Sequence, residues 1–429
     1  MHRFHVWTIG CQMNVAESAA INLALRKHGL QYVPSLDDAN LVILNSCTVR
    51  ESAEQRVQGQ LGLLARRKQT DPDLLIALTG CSVEPDLAAM ERKLPMVDFF
   101  FRPGALEHFV SQLEAQEVVG LPLAHDPVMG HEQPVSTYLT VMQGCNKFCT
   151  YCIVPYRRGR ERSRPVDEVV ADATKFVERG VREVTLLGQN IDSYGRDLPV
   201  RSHLATLLEA VDAVPGIERI RFMTSHPRDM DQRLIDAVGA LPHVCEQIHV
   251  AIQSGDDQVL RRMRRGYTGA SCVELAERIR RSVPGIALSS DVIVGFPGET
   301  EEQFERSLEV LAACRFDVVH AACYSPREGT VSDTWDDDVR PELKEERRKQ
   351  VEAQQLSIAT ATNEALHGTI LEVLIEDTQS ARRDVPQWRG RTRGGKLVYI
   401  PRTEQDLRGA LVAVRIEKTS PWALQGVPA

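Results

Sequence analysis

The chain has 429 residues, 43 % hydrophobic and 26 % charged, with a formal net charge of −8. A chain of this length buries a core without disulfides or structural metals, and its acidic balance argues against a nucleic-acid partner held by overall charge. No stretch approaches the roughly 20 apolar residues of a membrane helix, and the start, MHRFHVWTIGC, is not a secretory signal. The expected setting is therefore the cytoplasm, with no membrane partner, where the ten cysteines serve as ligands, nucleophiles or core filler.

The first segment alternates strand and helix. RFHVWTIGC reads as a strand ending at Cys11, followed by a helical pattern, NVAESAAINLALRKHG, with Asn14 as candidate cap and Gly29 as stop. ANLVILNSC ends at Cys47 and LLIALTGC at Cys81, each with a helix after it. Apolar runs of strand length separated by helices predict a parallel sheet, whose ligands gather beyond the carboxyl ends of the strands. All three cysteines fall at that end.

The domain limits expected from this pattern are 1–117, a Gly/Pro-rich linker over 118–133, a core over 134–361 and a last domain over 362–429. Six strand candidates mark the core: YLTVMQ, REVTLLG, RIRFMTS, QIHVAIQ, ALSSDVIVG and VVHAACY. Helices separate them, one with Val169, Ala173 and Phe176 on a face, another opened by a Thr300–Gln303 capping box. The fold class is α/β, and six units predict an open (β/α)6 partial barrel rather than a closed barrel of eight. GTILEVLIEDT, KLVYIP and ALVAVRIEKTS then predict a small antiparallel β-barrel.

Three basic clusters interrupt the acidic chain: Arg157 to Arg164, Arg261 to Arg265, and Arg382 to Arg402. Each taken singly reads as a solvated face; together they suggest an anionic partner.

Cys145, Cys149 and Cys152 lie in QGCNKFCTYC, at the end of the first core strand. Zinc in a structural site is closed by four ligands, and an iron–sulfur cubane is normally held by four thiolates. Three thiolates leave one metal position for something other than protein, with a zinc site completed by a distant histidine as the alternative. Cys11, Cys47 and Cys81 form a second candidate trio at equivalent strand ends. Cys245, Cys272, Cys314 and Cys323 show no ligand spacing and read as core residues. His226 reads as a structural histidine, and GFPGE (295–299) as a strand-to-helix turn with backbone a ligand could meet.

The Cys145 trio resembles the signature of radical S-adenosylmethionine (SAM) enzymes. The whole chain is similar to the methylthiotransferases of that superfamily. The resemblance rests on IGCQMN (9–14), NSCTVRESAEQRV (45–57), GCNKFCTYCIVPYRRGRERSRP (144–165), LLGQNIDSYG (186–195), TSHPRDM (224–230) and DVIVGFPGETEEQF (291–304). It implies two 4Fe-4S clusters, one on Cys145, Cys149 and Cys152 and an auxiliary one on Cys11, Cys47 and Cys81. It also implies that SAM completes the first cluster and yields a 5′-deoxyadenosyl radical, while the open iron of the second carries sulfur. Strand-end position and resemblance together give Tyr151, Gln189, Gln253, Ser254 and Gly295 as SAM contacts.

The resemblance further implies a radical SAM core and a C-terminal TRAM barrel. CIVPY and QNIDSYG favour the branch that acts on tRNA, adding sulfur and methyl at carbon 2 of N(6)-isopentenyladenosine next to the anticodon. RNA contacts are expected from Arg157, Arg158, Arg160, Arg382, Arg383, Arg389, Arg391, Arg393 and Lys396, with Trp388 either a stacking surface or buried. The base must leave the stack of its loop to be reached. An electron donor such as flavodoxin or ferredoxin and a sulfur source are implied partners, and a monomer is expected. The alternatives are the branches acting on a ribosomal-protein aspartate or on threonylcarbamoyladenosine, and outside catalysis a zinc-dependent RNA-binding module.

Overall fold

A computed structural model describes residues 2–48, 51–120, 134–380 and 386–429. Most of the expected linker, 121–133, and the predicted RNA contacts Arg382 and Arg383 lie outside the described residues. Contacts divide the chain into two compact units: 1–132 with 143–161 and 327–333, and 133–142 with 162–326 and 334–429. The division departs from the linear limits expected, because the cysteine loop at 143–161 belongs with the first unit.

In the first unit β1 (Arg3–Thr8), β2 (Gln31–Tyr32), β3 (Leu41–Ser46), β4 (Leu75–Gly80) and β5 (Phe99–Phe100) form a sheet in the order β2-β1-β3-β4-β5. Every pair is parallel, as the strand–helix alternation predicts. Alternate residues face opposite ways along a strand. Val42, Leu44, Ile76 and Leu78 pack with Val57, Leu61 and Leu64 of helix α2 (Glu51–Thr70). Leu41, Ile43 and Ala77 face the other way, onto Ile21 and Leu25 of helix α1 (Gln12–Lys27) and Phe109 and Leu113 of the helix Leu106–Ala115. Both faces are covered, so β3 is apolar without alternation over its first four residues.

Helix α1 corrects one expectation. Its N-cap is Cys11, and Asn14 lies inside the first turn, fully buried. Asn14 donates from Nδ2 to Asn45 Oδ1 at 2.8 Å and to the Ser46 carbonyl at 3.1 Å, and Asn45 Nδ2 returns a bond to the Asn14 carbonyl at 2.8 Å. This network locks the start of α1 to the end of β3.

In the second unit the six predicted core strands are Ser136–Thr140, Glu183–Leu187, Arg219–Phe222, Gln247–His249, Ala287–Val294 and Val318–Cys323. They lie side by side in chain order and parallel, with the third and fourth joined by bridges at Ile220–Val244 and Ser225–Val250. The arc is open, as six units require. Val169 and Ala173 are buried and Phe176 packs beside them, and the Thr300–Gln303 capping box is formed.

The last domain is a closed barrel of strands Ile370–Ser380, Pro386–Thr392, Leu397–Pro401, Leu424–Pro428 and Leu411–Thr419, taken around the ring. Trp388 is 4 % exposed among Val373, Ile375, Val398, Ile400 and Val414, so the stacking role is excluded and the buried alternative holds.

The barrel docks on the amino ends of the arc strands. Arg219, fully buried, donates from Nη1 to the Arg391 carbonyl at 2.6 Å and from Nη2 to Glu372 Oε1 at 2.9 Å. Arg221 donates to the carbonyls of Thr392 and Arg393 at 2.9 and 2.6 Å. Cys245, Cys272 and Cys314 are buried core residues as expected, and Cys323 is partly buried. No helix among the described residues is long and apolar enough to cross a membrane.

Candidate functional site

The register of the first sheet brings three cysteines to one edge. Thr8 pairs with Asn45 and Asn45 with Thr79, so Cys47 and Cys81 lie at matching places just beyond two adjacent strands and Cys11 one residue further beyond the third. The Cys81 amide donates to the Ser46 carbonyl at 2.8 Å, and Thr48 Oγ1 donates to the Cys81 carbonyl at 3.3 Å. Gly80, at φ +90, is required here: a Cβ would sit 2.2 Å from the Ser46 carbonyl oxygen. Cys11 is exposed, while Cys47 and Cys81 are buried.

The second trio belongs to the same compact unit. Cys145 and Cys149 are buried and Cys152 is half-buried. The chain beyond Cys152 forms the short helix Val154–Arg158 and returns over the loop, where the Cys145 amide donates to the Gly159 carbonyl at 3.1 Å. Gly144 has φ +78, and a Cβ there would lie 2.0 Å from the Arg160 carbonyl oxygen. The Ser332 amide donates to the Thr150 carbonyl at 2.9 Å and holds the loop from the other side.

Burial pushes the Cys145 thiol up to about 11, and burial likewise raises Cys81, against the lowering pull of Arg158. Such thiols stay protonated alone and become strong ligands once a metal displaces the proton. Among the described residues no group of three or more His, Cys, Asp or Glu side chains is set to hold a single metal ion. What the donor sets offer is thiols in threes, on strand ends and in a short loop, one fewer than the four that normally hold a cubane.

Arg158 stands apart from its expected role. Its side chain is 2 % exposed. Nε donates to Cys81 Sγ at 3.2 Å, Nη1 to Glu17 Oε1 at 2.5 Å and Nη2 to Glu17 Oε2 at 3.2 Å. Burial opposes its charge, but Cys81 and Glu17 outweigh burial and keep it protonated. The expectation that Arg158 grips a phosphate is therefore corrected: its donors are spent inside the protein.

Arg157 pairs with Glu84 at 3.5 Å and is largely covered. Arg160 is exposed, its guanidinium 4.4 Å from the centre of the Phe148 ring. In the barrel, Arg389 pairs with Asp377 and Arg391 with Glu376, both partly exposed. Arg393 and Lys396 are corrected like Arg158, since they bind Glu246 and Asp317 of the arc. The third basic cluster divides too: Arg265 is buried, donating to the Ala251 carbonyl at 2.6 Å, and Arg262 lies over Phe296 and Trp335.

Of the expected SAM contacts, Tyr151 is half-buried between Cys149 and Cys152. Gln189 and Gln253 lie beyond the carboxyl ends of the second and fourth arc strands. Gln189 Oε1 and its neighbour Asn190 Oδ1 are buried without a protein hydrogen bond among the described residues. A buried acceptor left unpaired costs about 1–3 kcal/mol, so these two oxygens fit a polar ligand. Gln253 has φ +68, and Thr224, beyond the third strand, has φ +74. Left-handed backbone at a β-branched residue is strain of the kind that collects at ligand sites.

Ser254 and Gly295 fit less well. Ser254 is fully buried with Oγ beside Ser307 Oγ at 3.1 Å and accepting from the Asp256 amide at 3.2 Å. The Gly295 amide donates to Glu299 Oε2 at 2.6 Å, and Lys344 covers its α-carbon. Both positions are engaged within the protein, Gly295 at the strand-to-helix turn.

The sequence reading missed Glu17, Thr224 and Asp192. Asp192 is buried, accepts from Ser225 Oγ at 2.8 Å and the His226 amide at 3.0 Å, and burial pushes it up to about 7. His226 is buried, its Nδ1 accepting from the Arg228 amide at 3.2 Å.

Comparison with known proteins adds an independent line. Residues 139–311 match the radical SAM superfamily, 3–102 the uncharacterized protein family UPF0004 and 364–429 the TRAM domain. A tRNA-2-methylthio-N(6)-dimethylallyladenosine synthase of Dehalococcoides mccartyi (strain CBDB1) is 47 % identical over 99 % of this chain and 98 % of its own length. Proteins of the same name from Chloroflexus aurantiacus and Moorella thermoacetica are 45 % and 42 % identical, each over 99 % of this chain and 91 % and 97 % of their own. Among solved structures, the radical SAM methyltransferase TsrM of Kitasatospora setae, with cobalamin and a 4Fe-4S cluster bound, has a TM-score of 0.56 at 16 % identity. That match covers 78 % of this chain and 77 % of TsrM. The cobalamin-dependent radical SAM enzyme OxsB scores 0.51 at 13 % identity over 83 % of this chain and 56 % of its own. These structural likenesses concern the fold.

Proposed function

The chain belongs to the tRNA-2-methylthio-N(6)-dimethylallyladenosine synthases, a family of radical SAM methylthiotransferases, and from that membership we propose that it converts isopentenyladenosine beside a tRNA anticodon into its 2-methylthio derivative. Membership makes it a SAM-dependent transferase carrying a 4Fe-4S cluster. The reading assigns that cluster to Cys145, Cys149 and Cys152 and a second to Cys11, Cys47 and Cys81. It places the enzyme in the cytoplasm as a monomer, supplied by a small electron-transfer protein such as flavodoxin or ferredoxin and by a sulfur source. The relatives are named for the dimethylallyl substrate, which favours this branch over the ribosomal-protein and threonylcarbamoyl alternatives.

The observation that carries the reading is the pairing of two three-thiol sets in one compact unit, since one reaction needs both sulfur delivery and radical formation. Carbon 2 of adenine bears a C–H that no protein acid or base can usefully deprotonate, so the bound cofactors supply the radical, the sulfur and the methyl group. The protein's own part is positional. Gly144 and Gly80 let backbone close on backbone beneath each thiol set. Gln189 and Asn190 hold unpaired acceptors ready for the amino or hydroxyl groups of SAM. Arg160, Arg389 and Arg391 are the expected phosphate contacts, joined by Arg157 where its pair with Glu84 opens.

The test is nucleoside analysis of tRNA from cells with and without the gene. Loss of the 2-methylthio group from isopentenyladenosine is expected; an unchanged tRNA profile with an altered ribosomal-protein aspartate overturns the substrate.

A further inference from the structure

Resting on the assignment of Cys11, Cys47 and Cys81 to a cluster, we propose that Arg158 and Glu17 form a charge pair that sets the reduction potential of that auxiliary cluster. The residue that tunes one site is thus carried on the loop that holds the other.

The geometry is specific. Arg158 has a side chain 2 % exposed and Glu17 one 14 % exposed, so neither is a solvated surface charge. The guanidinium divides its donors, two nitrogens to the Glu17 carboxylate and Nε to Cys81 Sγ at 3.2 Å. Glu17 and Cys11 are both carried by the start of α1, Glu17 within its second turn and Cys11 at its cap.

Two levers on a cluster's potential are hydrogen bonds to its sulfurs and nearby charge. A cubane on three thiolates carries net negative charge that deepens when an electron is added. A buried cation donating a hydrogen bond to one thiolate favours the reduced form, and a carboxylate behind that cation partly offsets it. The two residues therefore act with opposite sign on one quantity. A merely structural salt bridge would not do so, since removing either end would loosen the site in the same way.

The backbone explains the placement on this loop. Gly159 and Arg160 directly follow Arg158, and their carbonyls pack over Gly144 and Cys145. The segment that seats the Cys145 trio thus fixes the distance of Arg158 from Cys81.

The experiment uses the full chain with Cys145, Cys149 and Cys152 all changed to Ala, so that only the auxiliary site binds iron, and follows its midpoint potential by EPR-monitored titration. Arg158→Gln is expected to lower the reduction equilibrium at least tenfold, about 59 mV for one electron. Glu17→Gln is expected to move it the opposite way, and Arg158→Lys, which keeps the charge without the fork, to fall between Arg158→Gln and the unaltered residue. Shifts of the same sign, or none, overturn the proposal. If Arg158→Gln fails to hold iron, Glu17→Gln and Arg158→Lys still decide between the outcomes, since each has its own predicted direction. A parent protein that binds no iron with Arg158 and Glu17 intact would instead overturn the assignment of Cys11, Cys47 and Cys81.

Discussion

Arg393 and Glu246 are joined by two charge-assisted hydrogen bonds, Nε to Oε2 at 2.7 Å and Nη2 to Oε1 at 2.8 Å. Arg393 belongs to the barrel and Glu246 to the amino end of an arc strand, and Arg393 Nη2 also donates to the Val244 carbonyl at 2.7 Å. With Lys396 on Asp317 and Arg219 on Glu372, this pair fixes where the barrel sits. Arg393→Gln is expected to cost about 1 kcal/mol, because a bidentate pair of which about a third is exposed is worth little more. For a unit of this size that is about 2–4 °C in Tm, readable by calorimetry. An Arg393→Gln protein that melts with the wild type while losing tRNA affinity would return this residue to the phosphate contacts.

Arg160 is expected to behave in the contrary manner. It is exposed, with its guanidinium against the face of Phe148, so its charge is available to an anion. Removing one phosphate contact reduces the slope of log K against log salt by about 0.7 on single-stranded RNA. Arg160→Gln should lower that slope for an anticodon stem-loop by about this amount, without changing Tm. Arg158→Gln, whose guanidinium is internal, should leave the slope as it is. Anisotropy titrations at several salt concentrations distinguish the two, and equal slopes for all three proteins would remove Arg160 from the RNA interface.

These contrasts show what the sequence could and could not reveal. The apolar runs at 41–46 and 75–80 are buried on both faces, and that burial is what made them legible as parallel strands. The two-residue strands Gln31–Tyr32 and Phe99–Phe100 are too short to show any period. Pro386–Thr392 and Leu424–Pro428 carry glycine, proline and arginine or glutamine, which hide them among turns. Cys145, Cys149 and Cys152 stand out in the sequence by their spacing, and Cys11, Cys47 and Cys81 by their places after apolar runs that do form adjacent parallel strands. The arginines do not, because a solvated and an internally paired guanidinium look alike in a list of residues. Arg158 finds Glu17 141 residues away, and Arg393 finds Glu246 147 away. Asn14 was misread for the same reason, its amide being used by Asn45 across 31 residues rather than by its own helix end.

The two thiol sets should separate by substitution. Cys145→Ala is expected to abolish SAM cleavage and to lower iron from about eight to about four per chain. Cys47→Ala should lose the same amount of iron, keep SAM cleavage and stop sulfur insertion into tRNA. Gly144→Ala should follow Cys145→Ala, because its Cβ would strike the Arg160 carbonyl and open the loop. Iron and sulfide analysis beside a 5′-deoxyadenosine assay makes the comparison. SAM cleavage persisting in Cys145→Ala and vanishing in Cys47→Ala would exchange the two assignments.

Asp192 predicts how stability varies with pH. Its carboxyl is pushed up to about 7 from an ordinary 3.8 by burial, against the lowering bonds from Ser225 and the His226 amide. Between these two values the folded chain holds a proton that the unfolded chain has released, so stability falls as pH rises through the window and is flat above it. The slope is about 1.4 kcal/mol per pH unit, up to about 4 kcal/mol across the window. Asp192→Asn removes this dependence. It is expected to be less stable than the wild type near pH 5, by about 1 kcal/mol for an imperfect exchange of hydrogen-bond partners. Near pH 8, where the wild type must bury a charged carboxylate, the variant should equal or exceed it. Urea unfolding of both proteins at pH 5, 6, 7 and 8 reads the difference directly, and pH effects shared by the rest of the chain cancel. Parallel profiles would mean that Asp192 is already ionised in the fold and that its hydrogen bonds outweigh its burial.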